Sequence, residues 1–385
     1  MLDPQELREK FPYTRPSVLT KGPIFGLGYR SPWISGNIIQ AKISKKYNLN
    51  VMLAQQSARE IERTNRSFKE VVDSATISAY KANLNIPWGA DGDHLKTEQE
   101  LKDAVSAGCT HFTYDVTLEL KKGYKETLDK ITEMWKMTKQ LKENNEFTTE
   151  ISLDETEKIL KIEDIVFLLE ELKKRNIKID EIALRFPGYF EKAIDYYLKI
   201  EKGRKIRDTR EFELYLKEIS KLSKKYYFRV SIHSGSDKFS IYPILVKILK
   251  DNFHLKTAGT FYLEELKIVA KHNPDLFKEI FEFSLKQFQK DRATYELSTN
   301  IDNIPNIVEL NSEELVSAMQ SGSGNDDLRQ VLHVTYGSVL TAKDIDGKYL
   351  FRDRIYHTLI NNETEYYSEF EKHIRRHIKY FINLH

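Results

Sequence analysis

A single cysteine, Cys109, stands in 385 residues. It excludes an internal disulfide and a cysteine-built zinc cluster, and it fits a reducing, cytoplasmic setting. An excess of either charge is lacking too. Lys and Arg number 60 against 58 Asp and Glu, a formal net charge of +2, which gives no electrostatic case for a nucleic-acid partner. No run approaches the ~18 uncharged apolar residues of a membrane helix, so no membrane partner is expected. The opening MLDPQELREKF has no apolar stretch with a cleavage site, so no signal peptide is expected. Glycine-rich phosphate loops are missing as well. The GLG within PIFGLGYR (23–30) is followed by neither a third glycine nor a helix start, and the segment reads as a turn. There is no Asn-Gly pair, and the Asp-Gly pairs at Asp91 and Asp346 do not join alternating strands, so hairpin signals are weak.

Apolar residues make up 40% and charged residues 31%, enough for a sizeable core beneath a very polar surface. A short helix at the N-terminus is followed by alternating strand and helix patterns. Strands are expected at 50–57, at a segment ending at Trp88, and at 110–117, 147–154, 180–186, 227–234, 253–260 and 330–336. Helices are expected at 68–79, 124–144, 162–175, 241–252, 263–297 and 364–381, with about forty helical residues between the fifth and sixth strands. Eight alternating units argue for a parallel sheet closed into a (β/α)8 TIM barrel with additional peripheral helices. The reading is one barrel domain over 1–385, with an N-terminal extension (1–30) and a C-terminal helix (360–385) packed on it. QSGSGN (320–325) is the most flexible-looking segment and a candidate lid.

The densest chemistry lies in WGADGDHLKT (88–97), where Asp91, Asp93, His94 and Lys96 follow a strand. A solvated turn would explain that stretch alone equally well, but similar clusters recur at later strand ends. In a barrel all strand C-termini share one face, so Gln55, Asp93, His94, Lys96, Asp115, Asp154, Glu155, Arg185, His233, Asp237, Lys256, Thr260 and His333 should converge. Barrel strands usually read as Val/Ile/Leu runs, and His233 and His333 break that pattern. Either alone could be a hydrogen-bonded core histidine. With His94 and Glu155 they favour a metal site, and a set without cysteine suits zinc, manganese or a similar divalent ion. Glu155 could instead support a helix N-terminus, with Asp154 or Thr156 as the cap. Arg185 and Lys256 lie inside apolar strands, where an unpaired charge is costly. Either an anionic substrate or an internal ion pair would supply the partner. The remaining histidines, His373, His377 and His385 among them, read as structural or surface residues.

WGADGDHLKT, SLDETE, RFPGYFEKAIDYY, IHSGSDKFS, HLKTAGTFYLE and HVTYGSVL, in that order, resemble the tagaturonate epimerase family. The resemblance spans roughly residues 50–340. It implies a barrel isomerase of hexuronate catabolism that interconverts D-tagaturonate and D-fructuronate, with a sugar acid as its small-molecule partner. It also implies a divalent metal, zinc first, with His94, Glu155 and His233 as metal positions and His333 as a fourth candidate. Homo-oligomerisation is left open.

Those two sugars differ at a hydroxyl-bearing carbon β to the ketone, whose C–H the carbonyl does not acidify. With no dinucleotide fingerprint, a retro-aldol/aldol route is favoured over transient oxidation. It needs a Lewis acid and a carboxylate to take and return the hydroxyl proton. Asp93 and Asp154 are the candidates, Asp93 first. Arg185, Lys96 or Lys256 would hold the substrate carboxylate, with Asp237 and Thr260 as further substrate-binding candidates. A metal- or Schiff-base-dependent aldolase or sugar isomerase, using Lys256 in the Schiff-base case, is the rival enzyme. A non-catalytic sugar-acid-binding barrel is the third reading.

Overall fold

The computed structural model describes residues 2–31, 36–143 and 145–382. Within them ten strands follow in chain order: β1 (Ile24–Gly26), β2 (Val51–Ser57), β3 (Trp88–Leu95), β4 (His111–Asp115), β5 (Thr148–Leu153), β6 (Glu181–Leu184), β7 (Lys199–Glu201), β8 (Arg204–Ile206), β9 (Arg229–Ile232) and β10 (Phe253–Lys256). Eight close into a parallel barrel in the order β1-β10-β9-β6-β5-β4-β3-β2, while β7 and β8 form a separate antiparallel hairpin.

The expected strand count holds, but one member differs. The apolar segment read as a turn is β1, paired with β10 at Ile24, Phe25 and Gly26 and with β2 at Phe25 and Gly26. Its GLG serves packing: a Cβ on Gly28 would lie 1.9 Å from the Gln55 carbonyl oxygen. The strand expected at 330–336 is instead part of the helix Asp326–Val334, opened by Asn325, whose side chain accepts from the Leu328 N–H. A short apolar run does not separate buried strand from buried helix by periodicity. The strand expected to end at Trp88 begins there, and WGADGDHL is itself β3. Between β6 and β9 only Arg210–Tyr226 is an α-helix. The rest includes the β7–β8 hairpin, turned by Lys202 (φ 48°) and Gly203 (φ 75°), the paired left-handed geometry of a type I′ turn. His385 lies outside the described residues.

The strands obey period-two alternation with an unusual assignment of faces. Phe112, Tyr114, Ile151, Leu153, Ile182, Leu184, Val230, Ile232, Phe253 and Leu255 belong to the main hydrophobic core. The alternate positions hold His111, Glu150, Glu181, Arg229, His254 and Lys256, all buried and bonded to one another across the strands. The barrel interior is therefore ionic, and the apolar packing lies between strands and helices.

The C-terminal helix Glu363–Ile378 packs on the helices Gly36–Lys46 and Phe261–His272. Its Tyr366 hydroxyl lies 2.7 Å from that of Tyr29. Beneath them Glu265 is bonded to Ser31 and, at 3.4 Å, to Tyr366. Burial pushes this carboxyl up to about 7, against hydrogen bonds from Ser31, Tyr29 and Tyr366. A raised carboxyl favours the native state while protonated, so its contribution is full at acid pH and lost as pH rises through about 7. Glu265→Gln should therefore gain stability relative to the wild type between pH 5 and 8, by on the order of 3 kcal/mol. Urea unfolding across that range checks this; parallel pH profiles would show Glu265 ionised throughout.

Candidate active site

The strand C-termini open onto a cleft of about 690 Å³. β3 delivers both Asp93 and His94 to it, which plain alternation would forbid. Gly92 faces outward, so close to the next helix that a Cβ would lie 2.9 Å from that of Ala104. Gly92 then pairs with Phe112 but Leu95 with Tyr114, so β3 takes one more residue than β4. His94 absorbs the bulge in the left-handed region at φ 56°. A bulge re-aims side chains next to it, and the His94 ring lies 4.8 Å from that of His233.

Lys256 sits below this pair. Its Nζ is 2.7 Å from Asp93 Oδ1, 3.0 Å from Asp91 Oδ2, 3.2 Å from Glu150 Oε2 and 3.0 Å from the Thr113 hydroxyl. Burial opposes its charge, but Asp91, Asp93 and Glu150 together hold the ammonium well above the usual lysine range. Asp93, pushed up by burial, is drawn down to about 2 by Lys256, His94 and His233. His233 is gripped at both nitrogens, Nε2 by Glu150 and Nδ1 by Asp154 at 3.0 Å. Burial lowers it, but Asp154 and Glu150 carry it up to about 10 against the Lys256 charge. Ser152 donates to Asp154 Oδ1 at 2.6 Å. His94 Nδ1 faces Asp115 at 3.3 Å, and Lys96 reaches the same carboxylate at 3.2 Å.

The other expected residues are distributed differently. Glu155 lines the cleft but is bound by Arg59 at 2.7 Å and 3.0 Å, with its side chain 37% exposed. His333 lines another part of the cleft, with Nε2 3.4 Å from Arg30. Burial and the Arg30, Lys192 and Arg329 charges hold it well below the usual histidine range. The structure thus brings His94 and His233 together, with Asp93 rather than Glu155 or His333 as their neighbour. Arg185 lines the cleft and is paired with Glu296 at 2.8 Å and with the Thr156 carbonyl. Asp237 and Thr260 do not line the cleft; they lie against the C-terminal helix. The 320–325 segment is also away from it, with Ser321 bonded to Asp237 at 2.7 Å.

Sequence reasoning misses Glu150, the link between Lys256 and His233. The available signal is a carboxylate at an alternating position of a buried strand, TTEISL. It also misses Arg59 and Arg30, which lie outside the recognised strands and face the cleft from its far wall. Lys192, a loop lysine like many solvated ones, gives no signal in the sequence, yet its Nζ reaches the Ser234 hydroxyl at 2.7 Å within the cleft. Among the described residues no carboxylate lies within ion-pair distance of Lys192.

Three sets of histidines and carboxylates bring donor atoms within 4.8 Å of one another: Asp93/His94/His233 at the cleft, His111/Glu150/Glu181/His254 deeper in the barrel, and Asp237/His373/His377 under the C-terminal helix. Two imidazoles and a carboxylate at a cleft floor are a donor set of the zinc or manganese type, with the ion taking the place of the proton that His233 holds between Glu150 and Asp154. A family model described as tagaturonate epimerase matches residues 3–136 and 119–381. The chain belongs to the tagaturonate epimerase family. It is thus an enzyme of the isomerase class. It is 33% identical over 420 residues to the tagaturonate/fructuronate epimerase of Thermotoga maritima, covering 97% of this chain and 83% of that protein. It also resembles crystal structures of the fructuronate-tagaturonate epimerase of Cohnella laeviribosi. A one-glycerol complex gives a TM-score of 0.89 at 30% identity, covering 98% of this chain and 85% of the other. The native form gives 0.84 at 30% identity with the same coverage.

The Lys256 cluster yields a direct expectation. Lys256→Ala leaves three carboxylates buried without their cation, and breaking a buried pair costs about 3–5 kcal/mol. Urea unfolding should show that loss near neutral pH and a smaller one in acid, where the carboxylates are protonated. A loss under ~1 kcal/mol at neutral pH would mean that water or another cation replaces the ammonium.

Proposed function

We propose that this enzyme interconverts D-tagaturonate and D-fructuronate at the cleft, by retro-aldol cleavage and aldol re-formation, with a divalent metal. The observation that carries this is the convergence of Asp93, His94 and His233 at the floor of a cleft that also holds the carboxylate-free Lys192. Family membership supplies the substrate class. Asp93, His94 and His233 would hold the cation. When bound, it would supply Lewis-acid stabilisation of the negative charge that develops on the substrate ketone oxygen.

Asp154 becomes the first candidate base on geometry, because Asp93 is taken by Lys256 and the two imidazoles; against burial, His233 and His94 hold the Asp154 carboxyl, like that of Asp93, well below the usual carboxylate range. Its Oδ1 is held by Ser152 and His233, and its Oδ2 has no hydrogen bond among the described residues. Oδ2 takes the proton from the hydroxyl on the inverting carbon. The bond from that carbon to the carbon beside the ketone breaks, its electron pair passing into the enediolate, and the inverting carbon becomes an aldehyde. After the aldehyde turns over, the bond re-forms on its other face and Asp154 returns the proton. Lys192 holds the substrate carboxylate, with Lys96, Arg59 and Arg185 nearby but already paired. A Schiff base on Lys256 is disfavoured, since three carboxylates keep that amine protonated and a nucleophilic lysine needs a lowered pKa. Lys238, lowered to about 8 mainly by burial, is tied to the Glu191, Ile194 and Ser236 carbonyls and does not itself line the cleft.

Purified enzyme incubated with tagaturonate should form fructuronate by NMR when zinc or manganese is supplied, and lose the activity on chelation. His94→Ala and His233→Ala should lose metal and turnover together, while Glu155→Gln keeps its metal. Full turnover by metal-free protein would overturn the scheme. Lys192→Met should impair the uronate more than the matching neutral ketohexose; equal losses would remove Lys192 from substrate binding.

Deuterium at the inverting carbon tests the route. That hydrogen never leaves its carbon in the retro-aldol path, so the label should be retained in the product; washout into solvent would mean proton abstraction there. Asp154→Asn should lower turnover by roughly 10²–10⁴-fold with metal content intact. If metal and activity are lost together, Asp154 supports the metal site through His233 and is not the base.

A further inference from the structure

His373 and His377 stand one turn apart on the C-terminal helix and are 3% and 1% exposed. Neither is used in the chemistry of the cleft. His377 Nδ1 lies 2.8 Å from the His373 carbonyl. A carbonyl only accepts, so Nδ1 carries the hydrogen. The backbone N–H of Asp237 donates to Nε2 at 3.0 Å, so Nε2 presents a lone pair. Asp237 Oδ1 nevertheless sits 3.2 Å from that same nitrogen. This oxygen is buried and has no hydrogen-bond partner, while Oδ2 accepts from Arg329 at 2.6 Å and from Ser321 at 2.7 Å. Two lone pairs therefore face each other without a hydrogen between them.

His373 brings a third donor atom. Its Nδ1 faces Glu264 Oε1 at 3.4 Å, and its Nε2 lies 2.8 Å from the Thr260 hydroxyl. Burial and the neighbouring Arg329 and Lys267 charges hold it well below the usual histidine range, despite Asp237. One donor atom from each of the three side chains falls within 4.8 Å of the others. We propose that Asp237, His373 and His377 bind a second divalent metal of the zinc class, which clamps the C-terminal helix to the loop after β9.

The donor set is two imidazoles and a carboxylate, within the range zinc takes at ~2.0–2.2 Å once the side chains draw together. Both imidazoles have the second-shell pattern of metal ligands, one Nδ1 directed to a backbone carbonyl and the other to a carboxylate. Arg329 and Lys267 are matched locally by Asp237, Glu264 and Glu369, so a cation does not enter an uncompensated positive field. Ser236 and Thr260, hydroxyl against hydroxyl, close a further side, and Ser236 Oγ is 3.4 Å from His377 Nε2. Phe239 and Tyr242 pack on the His377 ring, limiting access of water. The rival arrangement is a proton on Nε2, giving an imidazolium–carboxylate pair at the expense of the Asp237 N–H bond.

The test uses the full wild-type chain loaded with Zn²⁺ and freed of excess by gel filtration. Crystals measured on both sides of the zinc absorption edge should show anomalous density among Asp237, His373 and His377. In solution, the His94→Ala/His233→Ala double variant should still retain about one equivalent of zinc. Chelation should lower its Tm, but not that of a variant also carrying His377→Gln. Anomalous density confined to the cleft, or a double variant that retains no zinc and has a chelator-insensitive Tm, would overturn the clamp and leave the protonated pair. Either result leaves the reading of the cleft standing, because activity is not the readout.

Discussion

The charge of Lys256 is the constraint on which the barrel interior depends. An ammonium 6% exposed at the side chain would be costly if unpaired, since stripping water from an ion costs several kcal/mol even in a relaxed protein. Asp91, Asp93 and Glu150 offset that cost, and each then needs Lys256 in turn. Glu150 passes the constraint to His233 and His111, and Glu181 passes it to His254 and Arg229. A column of alternating charge thus runs from the β9 N-terminus to the cleft. Because no member can move without stranding a neighbour, the carboxylate and imidazole donors at the top are set before any ligand arrives, which is what a precise site requires of its supporting groups.

The architecture was legible in the sequence because alternating strand and helix signals survive even when strand faces are exchanged. Helices fill in the apolar faces of β4, β5, β6, β9 and β10, and the barrel follows. Two segments misled for opposite reasons. PIFGLGYR is short and glycine-marked, yet three paired residues suffice when both neighbours are long-range partners. QVLHVTY is apolar and compact, yet the Asn325 cap and helical spacing of Leu328, Val331 and Leu332 place it in a helix. The eight expected strands thus include one segment that is helical and omit β1.

The candidate site was legible in part, and the division is physical. Strand-end position brings Asp93, His94, Asp154, Glu155, Arg185, His233 and Lys256 to one cleft, and position is readable along a chain. Pairing is not, because it is decided across the barrel. Arg59 binds Glu155, Glu296 binds Arg185, and three carboxylates bind Lys256, each from far away in sequence. The bulge at His94 is equally hidden: nothing in GDHL announces that its histidine turns inward, although the outward Gly92 against Ala104 shows why the position two residues before it admits no side chain.

The barrel seam gives the C-terminal helix its importance. β1 pairs with β2 at only two residues and with β10 at three, the weakest closure in the sheet. The segment after β1 is held from outside, where Tyr29 meets Tyr366 and Ser31 meets Glu265. The loops after β9 and β10 are held by the same helix, through His377 on Asp237 and His373 on Thr260. Ser236 belongs to both places, lining the cleft and bonding Thr260 beside those histidines. A residue shared in this way couples the docking of the last helix to the shape of the cleft. The C-terminal helix is therefore part of what holds the cleft in register, although no residue of that helix lines it.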